Sequence, residues 1–200
     1  MDAAFAWVFI AVFSWLAIVR FVFRYKTKDL TRPLINRAEG LGNILFRWFL
    51  GLVLFASISM YFLAPDKIAW AFFPVPTWAR VMGAISSAIG VGIIWWSHAA
   101  LDLAFSSTLR TTQEQRLVTS GPYRWVAHPM YSGFFLLFIG ALFFTRSWVI
   151  GGAGLLVIGS LMTTRLAREE RMLIEHFGGA YETYLGSVGR FVPKLWRSRG

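Results

Sequence analysis

The residues able to do chemistry crowd into Arg116–Gly133, where Arg116, Thr119, Tyr123, Arg124, His128 and Tyr131 interrupt a largely apolar chain. Gly121-Pro122 signals a turn, and Pro129 biases His128 away from helical backbone while opening a new helix. His128 therefore sits at a chain bend. A second polar group follows in Arg165, Glu169 and Glu170. Adjacent Glu169 and Glu170 point about 100° apart on a helix, which makes them a poor general-acid and general-base pair. Arg165 and Glu169 are one turn apart and share a face. A surface ion pair of that kind is worth only about 0–1 kcal/mol, whereas one placed where a helix leaves a bilayer is an oriented charge site.

The elements that must hold these groups are membrane helices. The 200-residue chain is 56% hydrophobic and 15% charged, with 10 Trp and 19 Phe. Several apolar runs approach the roughly 20 residues that cross a bilayer. A soluble protein of this size has no interior large enough to hide that surface. The chain reads as an all-α integral membrane protein of one domain, with no internal repeat or low-complexity segment.

About five crossings are expected. Ala3–Phe23 is too long for a signal peptide and has Asp2 in place of a basic leader, so it reads as the first helix. A polar loop, Arg24–Arg37, leads to a second helix over Asn43–Leu63, which stops before Pro65. Pro65–Trp78 carries Trp70, Phe72, Phe73 and Trp78 and suits the headgroup layer. The third helix spans Ala79–Leu101, where Ala84, Ala88 and Gly92 form a small-residue stripe for close packing. Met130–Thr145 and Trp148–Thr164, split by Arg146-Ser147, form a tight helical hairpin rich in glycine. From Arg165 a helix leaves the membrane and breaks near Gly178-Gly179. Residues 1–100 thus hold three transmembrane helices, and residues 101–200 hold the polar motifs.

A net charge of +10 can mark a nucleic-acid binder, but here the basic residues flank apolar runs. With the N-terminus outside, 17 of the 20 basic residues fall on the cytoplasmic side, beside Arg116–Gly133 and the tail. Membrane lipids, not nucleic acid, are the expected surroundings. The absence of cysteine excludes disulfides, thiolate metal sites and a cysteine nucleophile. His98, His128 and His176 match no metal-site spacing. His98 reads as a hydrogen-bonded packing residue, and His176 as a group favouring a helix C-terminus. No phosphate loop or nucleophile elbow stands out.

Two motifs together resemble the isoprenylcysteine carboxyl methyltransferase family, broadly defined. The first is Leu117-Val118-Thr119-Ser120-Gly121-Pro122-Tyr123 followed by Val126-Ala127-His128-Pro129-Met130-Tyr131. The second is Arg165-Leu166-Ala167-Arg168-Glu169-Glu170, then Leu173–Gly178, Tyr181, Tyr184 and Gly189-Arg190-Phe191-Val192-Pro193. The resemblance covers Leu101–Lys194 and implies an S-adenosylmethionine-dependent methyltransferase acting on an amphipathic or lipid-like acceptor. It implies that Arg116, Leu117, Val118, Gly121, Tyr123, His128, Pro129 and Tyr131 line the cofactor site. Glu170, Tyr181 and Tyr184 would close it beneath a C-terminal cytoplasmic helix, and Arg165 with Glu169 would position the acceptor. Where that family usually has arginine before the histidine, this chain has Ala127. The competing readings are an NADPH-dependent enzyme resembling the sterol reductases, and a non-enzymatic scaffold or small transporter.

Overall fold

The computed structural model describes residues 3–26, 41–108 and 117–194, with backbone alone at 24, 26 and 102–108. Among the described residues six α-helices follow one another: α1 (Ala3–Lys26), α2 (Leu41–Leu63), α3 (Thr77–Thr108), α4 (Pro129–Phe144), α5 (Trp148–Phe177) and α6 (Gly179–Ser187). Four of them, α1, α2, α3 and α5, are long and apolar enough to cross a membrane. The 16 residues of α4 reach only about 24 Å, short of a bilayer core of about 30 Å. α4 is nevertheless the most enclosed helix, with Gly133, Leu137, Gly140, Ala141 and Phe144 buried along it. The expected all-α membrane architecture and the α4–α5 hairpin are both present.

The pairing of α3 with α4 sets the frame. Gly83 lies against Gly140 and Gly90 against Gly133, so closely that a Cβ on Gly83 would stand 2.7 Å from the Gly140 carbonyl oxygen. A Cβ on Gly133 would stand 2.8 Å from the Gly90 carbonyl oxygen. Ser86 and Ser87 use that proximity to donate across the interface to Leu136 O and Leu137 O, at 3.0 and 2.9 Å. The packing face of α3 is therefore Gly83-Ser87-Gly90, one or two residues round from the anticipated Ala84-Ala88-Gly92 stripe. Gly92 meets only the Trp15 ring, 3.9 Å from its notional Cβ. Composition marked the right helix but not its face, because small residues occur on both.

Helix α5 closes against the other side of α4, where Gly151 and Gly154 leave room for Leu142 and Phe138. An aromatic layer of Phe9, Tyr61 and Phe144 fills the space toward α1 and α2. The α4–α5 turn is pinned at Arg146, whose φ is +59°. Its backbone oxygen accepts from Phe73 N at 3.0 Å, and its Nε donates to Phe73 O at 3.2 Å. Ser147 caps α5 by accepting from Ile150 N. Part of the Pro65–Trp78 connection, Pro65–Ala71, winds into a 3₁₀ turn. α3 extends past the expected Leu101 to Thr108.

α5 runs unbroken for 30 residues, about 45 Å, so Arg165–Glu170 lie past its apolar half. It stops at Gly178, whose φ of +54° and ψ of −136° suit a residue without Cβ. The chain then reverses into α6.

Candidate functional site

The α3–α4 register locates the site. Gly83 opposes Gly140 and Gly90 opposes Gly133, so His128 stands level with about Trp95 on α3. The apolar span of α3 continues to Leu101, about 9 Å further. His128 thus lies inside the edge of the apolar zone rather than beyond it. As the sequence indicated, it occupies the N-cap of α4 immediately before Pro129.

His128 is 8% exposed, and its Nε2 lies 3.1 Å from Glu170 Oε1. The other Glu170 oxygen accepts from Arg190 Nη2, also at 3.1 Å. Beside them the Tyr131 hydroxyl faces both Glu169 oxygens at 3.4 and 3.5 Å. Arg165 lies half-buried one turn before Glu169 on α5. His128, Tyr131, Glu169 and Glu170 therefore meet, although about 40 residues separate the two pairs.

Arg190 was missing from the expected set. The motif Gly189–Pro193 carried no assigned role, but it returns as a short strap against the His128 bend. Ala127 N donates to Gly189 O at 2.8 Å and His128 N to Arg190 O at 2.9 Å. Gly189 N donates back to Trp125 O at 3.3 Å, giving a single parallel bridge between Val126 and Gly189. Ser132 Oγ then holds Phe191 O at 2.6 Å. Gly189 was the available signal, since a Cβ there would collide with the Val192 carbonyl.

α6 covers the cluster. Ala127, Tyr181, Tyr184 and Val188 form a small core, with Leu117 packed against it. Tyr184 donates to Tyr123 O at 2.7 Å, latching α6 to the Gly121–Arg124 turn. The Tyr181 ring is 2% exposed, and its hydroxyl has no hydrogen-bond partner among the described residues. Burial, and then the Glu170 charge, push the Tyr181 hydroxyl up to about 12. Burial is also the leading reason that Tyr123 and Tyr184 are raised, followed by Tyr184 in the case of Tyr123 and by Tyr181 in the case of Tyr184.

These features separate two tyrosines. Tyr184→Phe deletes a made bond and should cost about 0.5–1.5 kcal/mol at neutral pH. Tyr181→Phe deletes an unmade one and should cost almost nothing. Because Tyr181 binds its proton more tightly folded than unfolded, its contribution is whole below about pH 10 and is lost as pH rises toward about 12. Melting temperatures between about pH 10 and 12 should fall, and less steeply in Tyr181→Phe. Equal slopes in wild type and Tyr181→Phe would refute this assignment.

The other expected residues are dispersed. Gly121, at φ +60°, packs on α3, where its notional Cβ would stand 3.0 Å from Ala100 and 3.3 Å from Trp96 Nε1. Pro129 is fully buried and walls an apolar groove outside the cluster. Val118 is half-buried, and Arg116 lies outside the described residues. His98 stacks on Phe23 at 4.9 Å, the packing role expected of it, and its buried Nε2 makes no hydrogen bond among the described residues. His176 is exposed in the last turn of α5.

A multi-helix membrane protein with a roofed polar cluster at one end of its short fourth helix is the class that fold and site define. A family model described as phospholipid methyltransferase matches residues 78–180, and the chain belongs to that family. It is 26% identical over 186 residues to the protein-S-isoprenylcysteine O-methyltransferase of Homo sapiens, covering 90% of this chain and 64% of that one. The Schizosaccharomyces pombe enzyme of the same name is 32% identical over 86 residues, covering 43% and 36%. The Dictyostelium discoideum one is 30% identical over 139 residues, covering 64% and 56%. The chain thus spans between about a third and two thirds of the length of these curated relatives.

Proposed function

We propose that this chain transfers a methyl group from S-adenosylmethionine to an amphipathic or lipid-like acceptor at the cytoplasmic face of its membrane. The acceptor class is an isoprenylcysteine-like carboxylate or another small carboxylate, thiol or amine. The observation that carries the reading is the His128–Glu170–Arg190 cluster, with Tyr131–Glu169 beside it, at the edge of an apolar span in a chain of this family. The named relatives, isoprenylcysteine O-methyltransferases, support the same chemistry.

The residues present fit the cofactor. An amino-acid end needs both an anionic acceptor and cationic or hydroxyl donors. Glu170 offers the first, while Arg190 and Tyr123 offer the second. The orphaned, buried Tyr181 hydroxyl suits a ligand group, because a buried hydroxyl without a partner carries a desolvation cost that a bound partner offsets. Leu117 and the latched Tyr184, packed in one small core beside the cluster, would shape the walls. When bound, S-adenosylmethionine supplies a methyl group on a sulfonium centre.

The protein's task is then positioning and exclusion of water, which can carry most of the barrier reduction for an in-line displacement. α6 and the 189–193 strap cover the cluster. Arg165 holds an acceptor carboxylate, and Tyr131 fixes Glu169 beside it. A carboxylate arrives ionised and needs no base. The positive-inside distribution, counted with α4 as a fifth crossing, supports an outside N-terminus and a cytoplasmic site.

The test is transfer of labelled methyl from S-adenosylmethionine to N-acetyl-S-farnesylcysteine and, separately, to phosphatidylethanolamine, in bilayer discs. Arg165→Ala and Glu169→Ala should each lower turnover by about 100-fold, the usual scale for lost positioning, without losing S-adenosylhomocysteine binding. Full turnover in both variants would end the acceptor-positioning role. Binding of NADPH alone would favour the reductase reading, and binding of neither ligand the scaffold.

A further inference from the structure

Outside the polar cluster, an apolar groove of about 680 Å³ runs along the outer side of the α3–α4 pair. Ile93 and Trp96 of α3, Phe135 and Leu136 of α4, and Phe191 and Val192 of the strap form its walls. Its one hydroxyl, Ser132, is already donating to Phe191 O. None of His128, Tyr131, Arg165, Glu169 or Glu170 lines it. The groove therefore offers an occupant no group that reacts.

At the groove's α6 end, Trp125 and Pro193 also wall a second cavity of about 110 Å³, together with Arg124, Ser187 and Lys194. Arg124 is exposed, with its guanidinium 6.0 Å from the Trp125 ring centre. The Lys194 ammonium donates to Gly186 O. Neither cation pairs with a carboxylate among the described residues. An apolar slot of chain-like character thus ends at two basic side chains and a hydroxyl, which is the charge pattern of an acidic amphiphile.

We propose that the groove and its basic end bind a bilayer phospholipid with an anionic headgroup, one acyl chain lying in the groove and the phosphate held by Arg124 and Lys194. This lipid is a bound companion and not the methyl acceptor. Phe191 links it to the cluster, since its ring lies 6.0 Å from the His128 ring while it also lines the groove. Occupancy of the groove holds the 189–193 strap against the His128 bend.

Native mass spectrometry of the protein in detergent, doped with phosphatidylglycerol or phosphatidylcholine of the same chains, tests this directly. Wild type should retain one phosphatidylglycerol with a preference of about thirtyfold, the scale set by two basic groups at a membrane surface. Arg124→Ala with Lys194→Ala should abolish the preference while melting at the wild-type temperature in lipid-free detergent. Leu136→Trp, which fills the groove, should lose both lipids. Equal retention of the two lipids, an unchanged preference in the double variant, or full retention in Leu136→Trp would overturn the site. With phosphatidylserine in place of phosphatidylglycerol, an anionic lipid that carries both an amine and a carboxylate, a retained lipid that gains a methyl group on addition of S-adenosylmethionine would make the occupant the acceptor and overturn its role as a companion.

Discussion

Replacing Gly140 by leucine should prevent α3 and α4 from closing and abolish recovery of folded protein, not merely of activity. A notional Cβ at Gly140 already collides with the Gly83 carbonyl and the Ser87 hydroxyl, and stands 2.8 Å from Ser87 N. Two of these obstacles are backbone atoms, which have no rotamer to yield. Overpacking a core commonly costs about 1–3 kcal/mol, and a helix pair that must separate bodily lies beyond that range. Separation also breaks the Ser86 and Ser87 bonds to Leu136 O and Leu137 O, in a setting where water does not replace them. The control is Gly152→Ala on α5, where a Cβ meets nothing within 4 Å. There the higher helix propensity of alanine should add up to about 1 kcal/mol. Size-exclusion profiles and thermal melts in detergent read both. A folded Gly140→Leu protein with wild-type melting would show that the α3–α4 approach is not what holds the fold.

The contrast between these glycines shows where sequence reasoning reached its limit. Apolar run lengths and proline positions located the helices, and Pro129 located the His128 bend, because each depends on local stereochemistry. Which glycine sits at a contact depends on helix rotation, so Ala84-Ala88-Gly92 looked as good as Gly83-Ser87-Gly90. Arg190 failed for a related reason. Its partner Glu170 is 20 residues away across the Gly178 reversal, and its strap pairs with residues 125–128 some 60 positions earlier. The motif resemblance brought His128 and Glu170 onto one list without saying that they touch. Ala127 gains a physical setting from the fold: its side chain is buried in one small core with Tyr181, Tyr184 and Val188.

Glu170→Ala should weaken S-adenosylhomocysteine binding by about 100- to 1,000-fold. Glu170 is 13% exposed and uses both oxygens, one toward His128 and one toward Arg190. Removing the carboxylate takes away the anionic acceptor proposed for the ligand and frees both neighbours. Arg190, 62% exposed, regains water at little cost, whereas His128 at 8% does not. Charged hydrogen bonds are worth about 1.5–3 kcal/mol each, so losing the ligand's bond and the order of the site gives the stated range. Glu170→Gln keeps the shape but removes the charge, and its amide presents a donor toward one of two groups that themselves donate. It should fall between wild type and alanine. His128→Ala should weaken binding too, and the double variant should lose less than the sum of the single losses, because each single change already disorders the same pair. Calorimetric titration with S-adenosylhomocysteine, with NADPH as the control ligand, measures all four proteins. Wild-type affinity in Glu170→Ala would reduce the His128–Glu170–Arg190 cluster to a latch that fastens the 189–193 strap to α5, and the methyl-donor site would have to be sought elsewhere.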